Sequence, residues 1–287
     1  GLTIRNTDQA FYAGHKDLLG CSGLVIRNCR IEDVGAALMN EYEGSKNFYI
    51  ADNVVLGRDD RNRIIGWSHW GKYKPTQLKS YYAIKVYGQG HVICHNYIAY
   101  FHDGVCLSTY GIPPEKQEHK AVAIDIYNND IHLMIDDFIE ADGGVHNIRV
   151  MRNRGFNAAQ HGLSGQPVFG GPAYFYRNVL YNVAILPLAG GAIKTGGANP
   201  AGVLVYHNTF IGENSYIRGY SNGHYRNNLT MGTNHPDKPV LGSLTYTSYT
   251  SFDYNGYRLN ASEKPQFVWK SPAVGVLRDY ALTNTDL

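Results

Sequence analysis

The feature that most constrains this chain is a short motif that recurs ten times. Each copy is an apolar residue, a second apolar residue two places on, and three places later a small polar residue that is usually asparagine. In chain order the copies end at Thr7, Cys29, Asn53, Asn96, Asn129, Asn153, Asn178, Asn208, Asn228 and Asn255. A structural unit of about 22 to 25 residues, lengthened by insertions in a few places, accounts for this spacing.

A unit of this length fits three short strands and three turns, because each strand residue rises about 3.3 Å and each unit can stack on the next. We therefore predict an all-β fold, a single-stranded right-handed parallel β-helix of about ten coils. Aliphatic side chains should stack inward, and the corner asparagines should pass amide hydrogen bonds along a column while adopting left-handed backbone angles. The alternative is an antiparallel sandwich, which would need hairpin signals. Only Asn222-Gly223 and Asn255-Gly256 provide such a signal.

The repeats run on without a linker, which predicts one domain over residues 1–287 with inserted loops at 57–82 and 109–120. The repeat begins at once after Gly1, so we expect that an N-terminal cap, with any export signal, is missing. Two glycosylation-type sequons, Asn228-Leu-Thr230 and Asn260-Ala-Ser262, agree with a secreted or periplasmic protein.

The amino-acid composition limits the classes of partner that the chain is expected to bind. The net charge is only +2, so bulk charge points to neither nucleic acid nor a membrane, and it does not indicate an oligomeric state. The 23 tyrosines offer flat, hydroxyl-tipped surfaces on which sugars stack, although packing accounts for many of them. The four cysteines lack a CxxC pair, and Cys29 and Cys94 are expected to be buried fillers. The twelve histidines show no zinc-ligand spacing, so no metal site is expected.

On a β-helix the interior is filled, so an active site must lie on an outer face and be built from successive coils. Alternation along the strands predicts that Val105, Ile139 and Leu163 point inward. One outward column then holds Cys106, Glu140 and Ser164, and the next holds Ser108, Asp142 and Gln166.

One coil is unusually acidic, since Asp136, Asp137, Glu140 and Asp142 fall within seven residues. Like charges this close raise at least one pKa, which is how a general acid is kept protonated beside an ionised base. A solvated surface run is the alternative. The neighbouring coils bring further polar candidates to the same face: Asp103, His161, Gln166 and Lys194.

Four motifs on these coils occur in the same order as those of polygalacturonases and related pectin hydrolases, which they resemble. They are Phe101-His-Asp-Gly104, Ile135-Asp-Asp137, Gln160-His-Gly162 and Ala192-Ile-Lys194. The resemblance implies a pectin-lyase-like β-helix and a glycoside hydrolase, with Asp136 as general acid, Asp103 and Asp137 as the base pair, His161 tuning them and Lys194 on the substrate. The chain departs from that pattern at Phe101 and at Ala192, where the family has asparagine and arginine.

The centre also resembles bacterial right-handed β-helix repeat proteins associated with carbohydrate processing. The matching segments are 136–144, 162–167 and 170–174. The activities of that group are mixed, so this resemblance supports the fold and the site more than one reaction.

The two inserted loops carry side chains suited to a sugar. Stacked indoles can bind sugar faces, and cations can meet uronate or sulfate groups. Packing of the loops on the flank of the solenoid is the alternative. The expected substrate contacts from these loops are Trp67, His69, Trp70 and Tyr110.

Three functions are consistent with these features. The first is a polysaccharide-degrading glycoside hydrolase, inverting if acid and base lie about 6.5 to 9.5 Å apart. The second is a polysaccharide lyase or epimerase acting on a uronate, in which the acids would hold Ca²⁺ and Lys194 or His161 would remove a proton. The third is a glycan-binding module without catalysis. A hydrolase or a binding module needs no cofactor.

Overall fold

The computed structural model describes residues 1–16, 18–60, 65–66, 79–107, 113–185, 190–196, 201–217, 220–244, 249–273 and 276–282. Short strands dominate. The first fifteen are β1 (Thr3–Gly14), β2 (Val25–Arg27), β3 (Arg30–Asn40), β4 (Tyr49–Ala51), β5 (Val54–Gly57), β6 (Asp59–Asp60), β7 (Ile65–Gly66), β8 (Tyr82–Val86), β9 (Val92–Cys94), β10 (Tyr97–Phe101), β11 (Asp103–Cys106), β12 (Val122–Tyr127), β13 (Asp130–Met134), β14 (Ile139–Glu140) and β15 (His146–Met151). The rest are β16 (Arg154–Ala158), β17 (His161–Gly165), β18 (Ala173–Tyr176), β19 (Val179–Val183), β20 (Gly191–Thr195), β21 (Ala201–Tyr206), β22 (Thr209–Ile211), β23 (Asn214–Ile217), β24 (Ser221–Arg226), β25 (Leu229–Met231), β26 (Leu241–Leu244), β27 (Ser251–Asp253), β28 (Gly256–Arg258), β29 (Phe267–Ala273) and β30 (Val276–Leu282). One 3₁₀ turn, η1, covers Gln117–His119.

The strands follow a repeat of three per coil. From β4 to β29, each coil places one strand in a nine-stranded sheet and two strands in a nineteen-stranded sheet; β12, β13 and β14 make one coil and β15, β16 and β17 the next. In the coil before β4, the long strand β3 takes the place of both and pairs with β5 and β8. Among the described strands every pairing is parallel except β6 with β7 and β29 with β30. This arrangement is the predicted parallel β-helix, and it is incompatible with the antiparallel sandwich. A right-handed path is the hand that parallel strands with such connections almost always take.

The predicted asparagine column is present. From Asn53 to Asn228, each ladder asparagine donates through Nδ2 to Oδ1 of the next at 2.9 to 3.1 Å, and the column ends at Asn255. Cys29 occupies the preceding position, and its backbone N–H donates to Asn53 Oδ1 at 2.9 Å. The side chains also bond backbone carbonyls of the turn, so the ladder satisfies corner groups that the strands leave unpaired.

Two details of the sequence interpretation were wrong. The left-handed residue at each corner is the one before the ladder asparagine, as at Arg152 and Arg177, and not the asparagine itself. Thr7 is not a corner either. It lies inside β1 opposite Val34, and the corner of the first coil falls near Leu2, whose carbonyl accepts from Arg30 N. Thr7 fits the spacing of the apolar residues in the motif, but strand β1 continues through this position without a turn.

The interior is a stack of aliphatic and aromatic side chains contributed by all three strands of each coil. Ile124, Ile148, Ala173 and Val203 follow one another on the nine-stranded sheet, and all are fully buried. Cys94 is buried as expected. Within the described residues no helix combines the length and apolarity needed to cross a membrane. Because the interior is filled, polar chemistry is confined to outward columns of the two sheets.

Candidate functional site

The acidic coil lies on one part of the nineteen-stranded sheet, in the predicted register. Val105 pairs with Ile139, and Ile139 pairs with Leu163, and all three are fully buried. This confirms the alignment of the three coils. The residues that follow them form one outward column across five neighbouring strands: Lys85, Cys106, Glu140, Ser164 and Lys194.

The acids are far less accessible than a solvated surface run would be. Asp137 is fully buried, Asp142 is 3% exposed and Glu140 is 6% exposed. Asp136 is the most open of the four, with 18% of its side chain exposed. Carboxyl groups buried in this way must be paired, hydrogen-bonded or protonated, so the arrangement around each one decides its charge.

Asp136 and Asp137 share two basic neighbours. Asp136 Oδ1 lies 2.8 Å from His161 Nδ1, which links adjacent coils. Lys194 Nζ donates to Asp137 Oδ2 at 2.6 Å and lies 4.0 Å from Asp136 Oδ1. Lys194, which was predicted to contact substrate, bridges the two aspartates through its ammonium; its contact with substrate stays a prediction.

The environments of these neighbouring carboxyls push their pKa values in opposite directions. Burial alone would raise the pKa of Asp136, but the hydrogen bond with His161 and the charge of Lys194 outweigh it, and the net direction is downward. Burial, and then the charge of Asp136, raise the pKa of Asp137 well above its ordinary value, against the opposing effect of Lys194. Burial lowers the pKa of Lys194, but the aspartates around it raise it overall. The hydrogen bond with His161 and the charge of Lys194 therefore favour the ionised form of Asp136. Burial favours the neutral form of Asp137, although Lys194 donates to that carboxyl.

The lowered pKa of Asp136 disfavours the general-acid role that the resemblance to polygalacturonases implies for it. A general acid must hold a proton at the working pH, whereas Asp136 is the carboxyl that its surroundings keep ionised. The resemblance to polygalacturonases was based on motif order alone, and motif order does not contain the hydrogen bond to His161.

Glu140 is the protonated counterpart. Burial, and then the charges of Asp103 and Asp142, raise its pKa to about 8. An oxygen of Glu140, an oxygen of Asp103 and the Cys106 sulfur lie within 4.8 Å of one another. The pKa of the Cys106 thiol is also raised, chiefly by burial, so this end of the cluster carries its protons at neutral pH.

Asp142 is anchored from the next coil. Its Oδ1 accepts from Ser164 Oγ at 2.6 Å and from the backbone N–H of Gln166 at 2.7 Å. Burial nevertheless raises the pKa of Asp142 to about 7. Among the described residues, Asp142 Oδ2 and the buried Gln166 Oε1 have no hydrogen-bond partner. Polar atoms left open in this way can receive a ligand.

Asp103 is positioned by a histidine that sequence reasoning did not assign. His102 Nδ1 lies 2.8 Å from Asp103 Oδ2, and the His102 ring stacks on Tyr81 with 4.6 Å between ring centroids. Asp103 Oδ1 also accepts from Asp137 N at 3.3 Å. The Phe-His-Asp-Gly motif in the sequence could have indicated this pair, because a histidine adjacent to a site aspartate often pairs with the charge of that aspartate.

Among the residues that the structure describes, three trios of side chains bring possible metal-ligand atoms within 4.8 Å of one another: His102/Asp103/Asp136, Asp103/Cys106/Glu140 and Asp136/Asp137/His161. None resembles a calcium site, because Ca²⁺ takes six to eight oxygens, and each trio contains an imidazole or a thiol. Three of the acids are linked to basic partners instead: Asp103 to His102, and Asp136 and Asp137 to His161 and Lys194.

The expected loop contacts lie outside the described residues. These are Trp67, His69, Trp70 and Tyr110, together with Ser108 of the outer column. The structure therefore brings together Asp103, Asp136, Asp137, Glu140, Asp142, His161, Gln166 and Lys194 and leaves the four loop residues untested.

No protein-family model, curated protein or solved structure matches this chain. A functional inference must therefore come from the geometry and electrostatics of the acidic coil.

Proposed function

We propose that this protein is a polysaccharide-degrading glycoside hydrolase whose centre is the acidic coil. The proposal rests on the contrasting surroundings of two carboxyls in one cluster. Burial would raise the pKa of Asp136, but its hydrogen bond with His161 and the nearby Lys194 ammonium lower it, whereas burial raises the pKa of Glu140 to about 8. Glycosidic cleavage needs such a pair, one carboxylic acid to protonate the leaving oxygen and one carboxylate on the other side of the bond.

Asp136 is the base or nucleophile in this scheme, and Glu140 is the general acid. Each has an oxygen within 4.8 Å of an Asp103 oxygen, so both carboxyls adjoin Asp103. Lys194 and His161 keep Asp136 charged. A sugar ring seated over Asp103 would have a proton donor on one side and a carboxylate on the other.

A lyase or epimerase acting on a uronate remains the second candidate, because the cluster also contains an imidazole and a lysine amine, groups of the kind that remove a substrate proton. Its base would be His161, since the raised pKa of Lys194 keeps that amine protonated and unable to remove a proton. The substrate in either case is a polysaccharide or oligosaccharide, and a secreted or periplasmic location would give access to it.

Product analysis on a panel of uronate-containing and neutral polysaccharides tests the proposal. A hydrolase releases new reducing ends, a lyase releases ultraviolet-absorbing unsaturated ends, and a binding module releases neither. Asp136→Asn and Glu140→Gln should each abolish reducing-end release. The matched control, Asp130→Asn, changes a surface aspartate paired with Arg154 and should leave the rate unaltered. Unsaturated products, or equal activity in Glu140→Gln, would contradict the assignment.

A further inference from the structure

A second polar surface lies on the nine-stranded sheet, away from the acidic coil. A groove with a volume of about 470 Å³ runs over the outer face of β15, β18 and β21. Its described lining is aromatic, cationic and amide, without a carboxylate: Asn147, Arg149, Tyr174, Tyr176, Arg177, Tyr206 and His207.

The register of the sheet explains how the groove is built. Tyr176 and Tyr206 are direct partners on β18 and β21, one coil apart, and Tyr174 lies two residues before Tyr176 on the same face. Arg149 pairs with Tyr174 from the other side. Successive coils are about 4.8 Å apart, which is comparable to the length of one sugar residue in an extended polysaccharide.

Two of the basic side chains that line the groove belong to corner residues with left-handed backbone angles. Arg177 follows Tyr176 with φ of 56°, and His207 follows Tyr206 with φ of 57°, so consecutive coils present an aromatic ring and a cationic or imidazole side chain together. Both corner side chains are exposed. Arg149 is paired with Asp125 at 2.8 Å, whereas Arg177 has no acidic partner among the described residues.

We propose that this groove is a second binding site for an anionic saccharide, a segment bearing uronate or sulfate groups. Tyrosine faces would stack on the sugar rings, and the Arg177 guanidinium would pair with a carboxylate or sulfate. The inference rests on the proposed function, because it assigns a carbohydrate partner, and it adds a site that holds a long chain while the acidic coil acts on another part of it.

A single-stranded nucleic acid could also stack on such rings, but it carries a phosphate at every nucleotide and needs an extended basic track. The outer face of this sheet is not such a track. Arg152 and Arg226 have no acidic partner among the described residues, but Asp52, Asp125 and Asp253 lie on the same face and interrupt the positive charge. Arg27 pairs with Asp52, as Arg149 pairs with Asp125. The charge pattern thus favours a ligand with few, spaced anionic groups.

The test is direct binding by calorimetry, using the Asp136→Asn protein so that substrate is not consumed. Its probes are oligogalacturonates, heparin-derived oligosaccharides, neutral cello-oligosaccharides and an oligothymidylate.

The first variant, Arg177→Asn with His207→Asn, introduces the residue that the chain itself uses at the equivalent corners Asn128 and Asn227, so the left-handed backbone is retained. The second, Tyr206→Met, introduces the residue found in the same column at Met151. Tyr181→Ala, at a tyrosine 52% exposed on β19, is the control.

We expect one or both anionic saccharides to bind, each groove variant to weaken that binding about tenfold or more, and the control to leave it unchanged. Preference between the galacturonate and heparin probes identifies carboxylate or sulfate as the anion. The proposal is overturned by equal affinity in the variants, by tighter binding of the neutral probe or the oligothymidylate, or by no binding of either anionic saccharide. Absence of hydrolysis by the wild-type protein, with groove binding intact, would instead count against the proposed function alone.

Discussion

Glu140 should make the protein less stable as the pH rises from 5 to 8. Its folded-state pKa of about 8 lies above its ordinary value of 4.5, so over this window the unfolded chain releases a proton that the folded protein still holds. Stability falls with pH wherever the folded state binds more protons. The window covers about three pKa units at about 1.4 kcal/mol each, so Glu140 should remove about 4 kcal/mol of unfolding free energy.

Chemical denaturation at several pH values measures this directly. Glu140→Gln keeps the shape and the neutral charge of the buried acid, so it should remove most of the decline between pH 5 and 8. Some decline should remain, since the pKa of Asp142 is also raised, to about 7. Glu118→Gln, at an exposed glutamate of η1, should reproduce the wild-type curve. If wild type and Glu140→Gln lose the same free energy over this range, the buried neutral carboxyl does not exist.

Three further predictions concern the ladder and the charges of the site. Asn153→Ala removes two donated and two accepted buried hydrogen bonds and should cost about 3 kcal/mol or more in a denaturation experiment. The control, Asn157→Gly, loses one bond from Asn182 and tolerates the left-handed angle at this position, so it should cost about 1 kcal/mol. Equal losses would mean that the ladder adds no stability. Lys194→Met removes the ammonium that holds Asp136 ionised, so the acidic limb of the kcat/KM profile should move to higher pH; an unmoved limb would exclude this role. Asp136→Asn should lower kcat by about 10² or more in an assay of reducing ends, and near-normal turnover would exclude Asp136 as a reacting group.

Much of the fold could be predicted because the repeat is local. A column of asparagines and an inward aliphatic at a fixed offset are visible in the sequence, and they placed Val105, Ile139 and Leu163 in the correct register. The sequence did not indicate which corner residues have left-handed backbone angles, because the residue type at those positions varies. Arg152, His95 and Tyr254 share a backbone angle and no side-chain chemistry.

The charges of the site carboxyls were harder to predict from the sequence than the fold, because they depend on distances between side chains of different coils. The sequence showed that Asp136, Asp137 and Glu140 are neighbours, but alternation alone cannot show that they are buried. It also could not show that Lys194 is directed at Asp137 and His161 at Asp136. The hydrogen bond with His161 and the charge of Lys194 lower the pKa of Asp136, which disfavours the general-acid role expected for it.

The central claim is that Asp136 and Glu140 hold opposite protonation states in one cluster, and a carboxyl-carbon NMR titration measures it most directly. The resonances can be assigned with Asp136→Asn and Glu140→Gln in protein carrying labelled aspartate and glutamate. We predict that the Glu140 carboxyl titrates near pH 8 and that the Asp136 carboxyl remains ionised below the ordinary range of an aspartate. Titration of both carboxyls together near pH 4 would contradict the account.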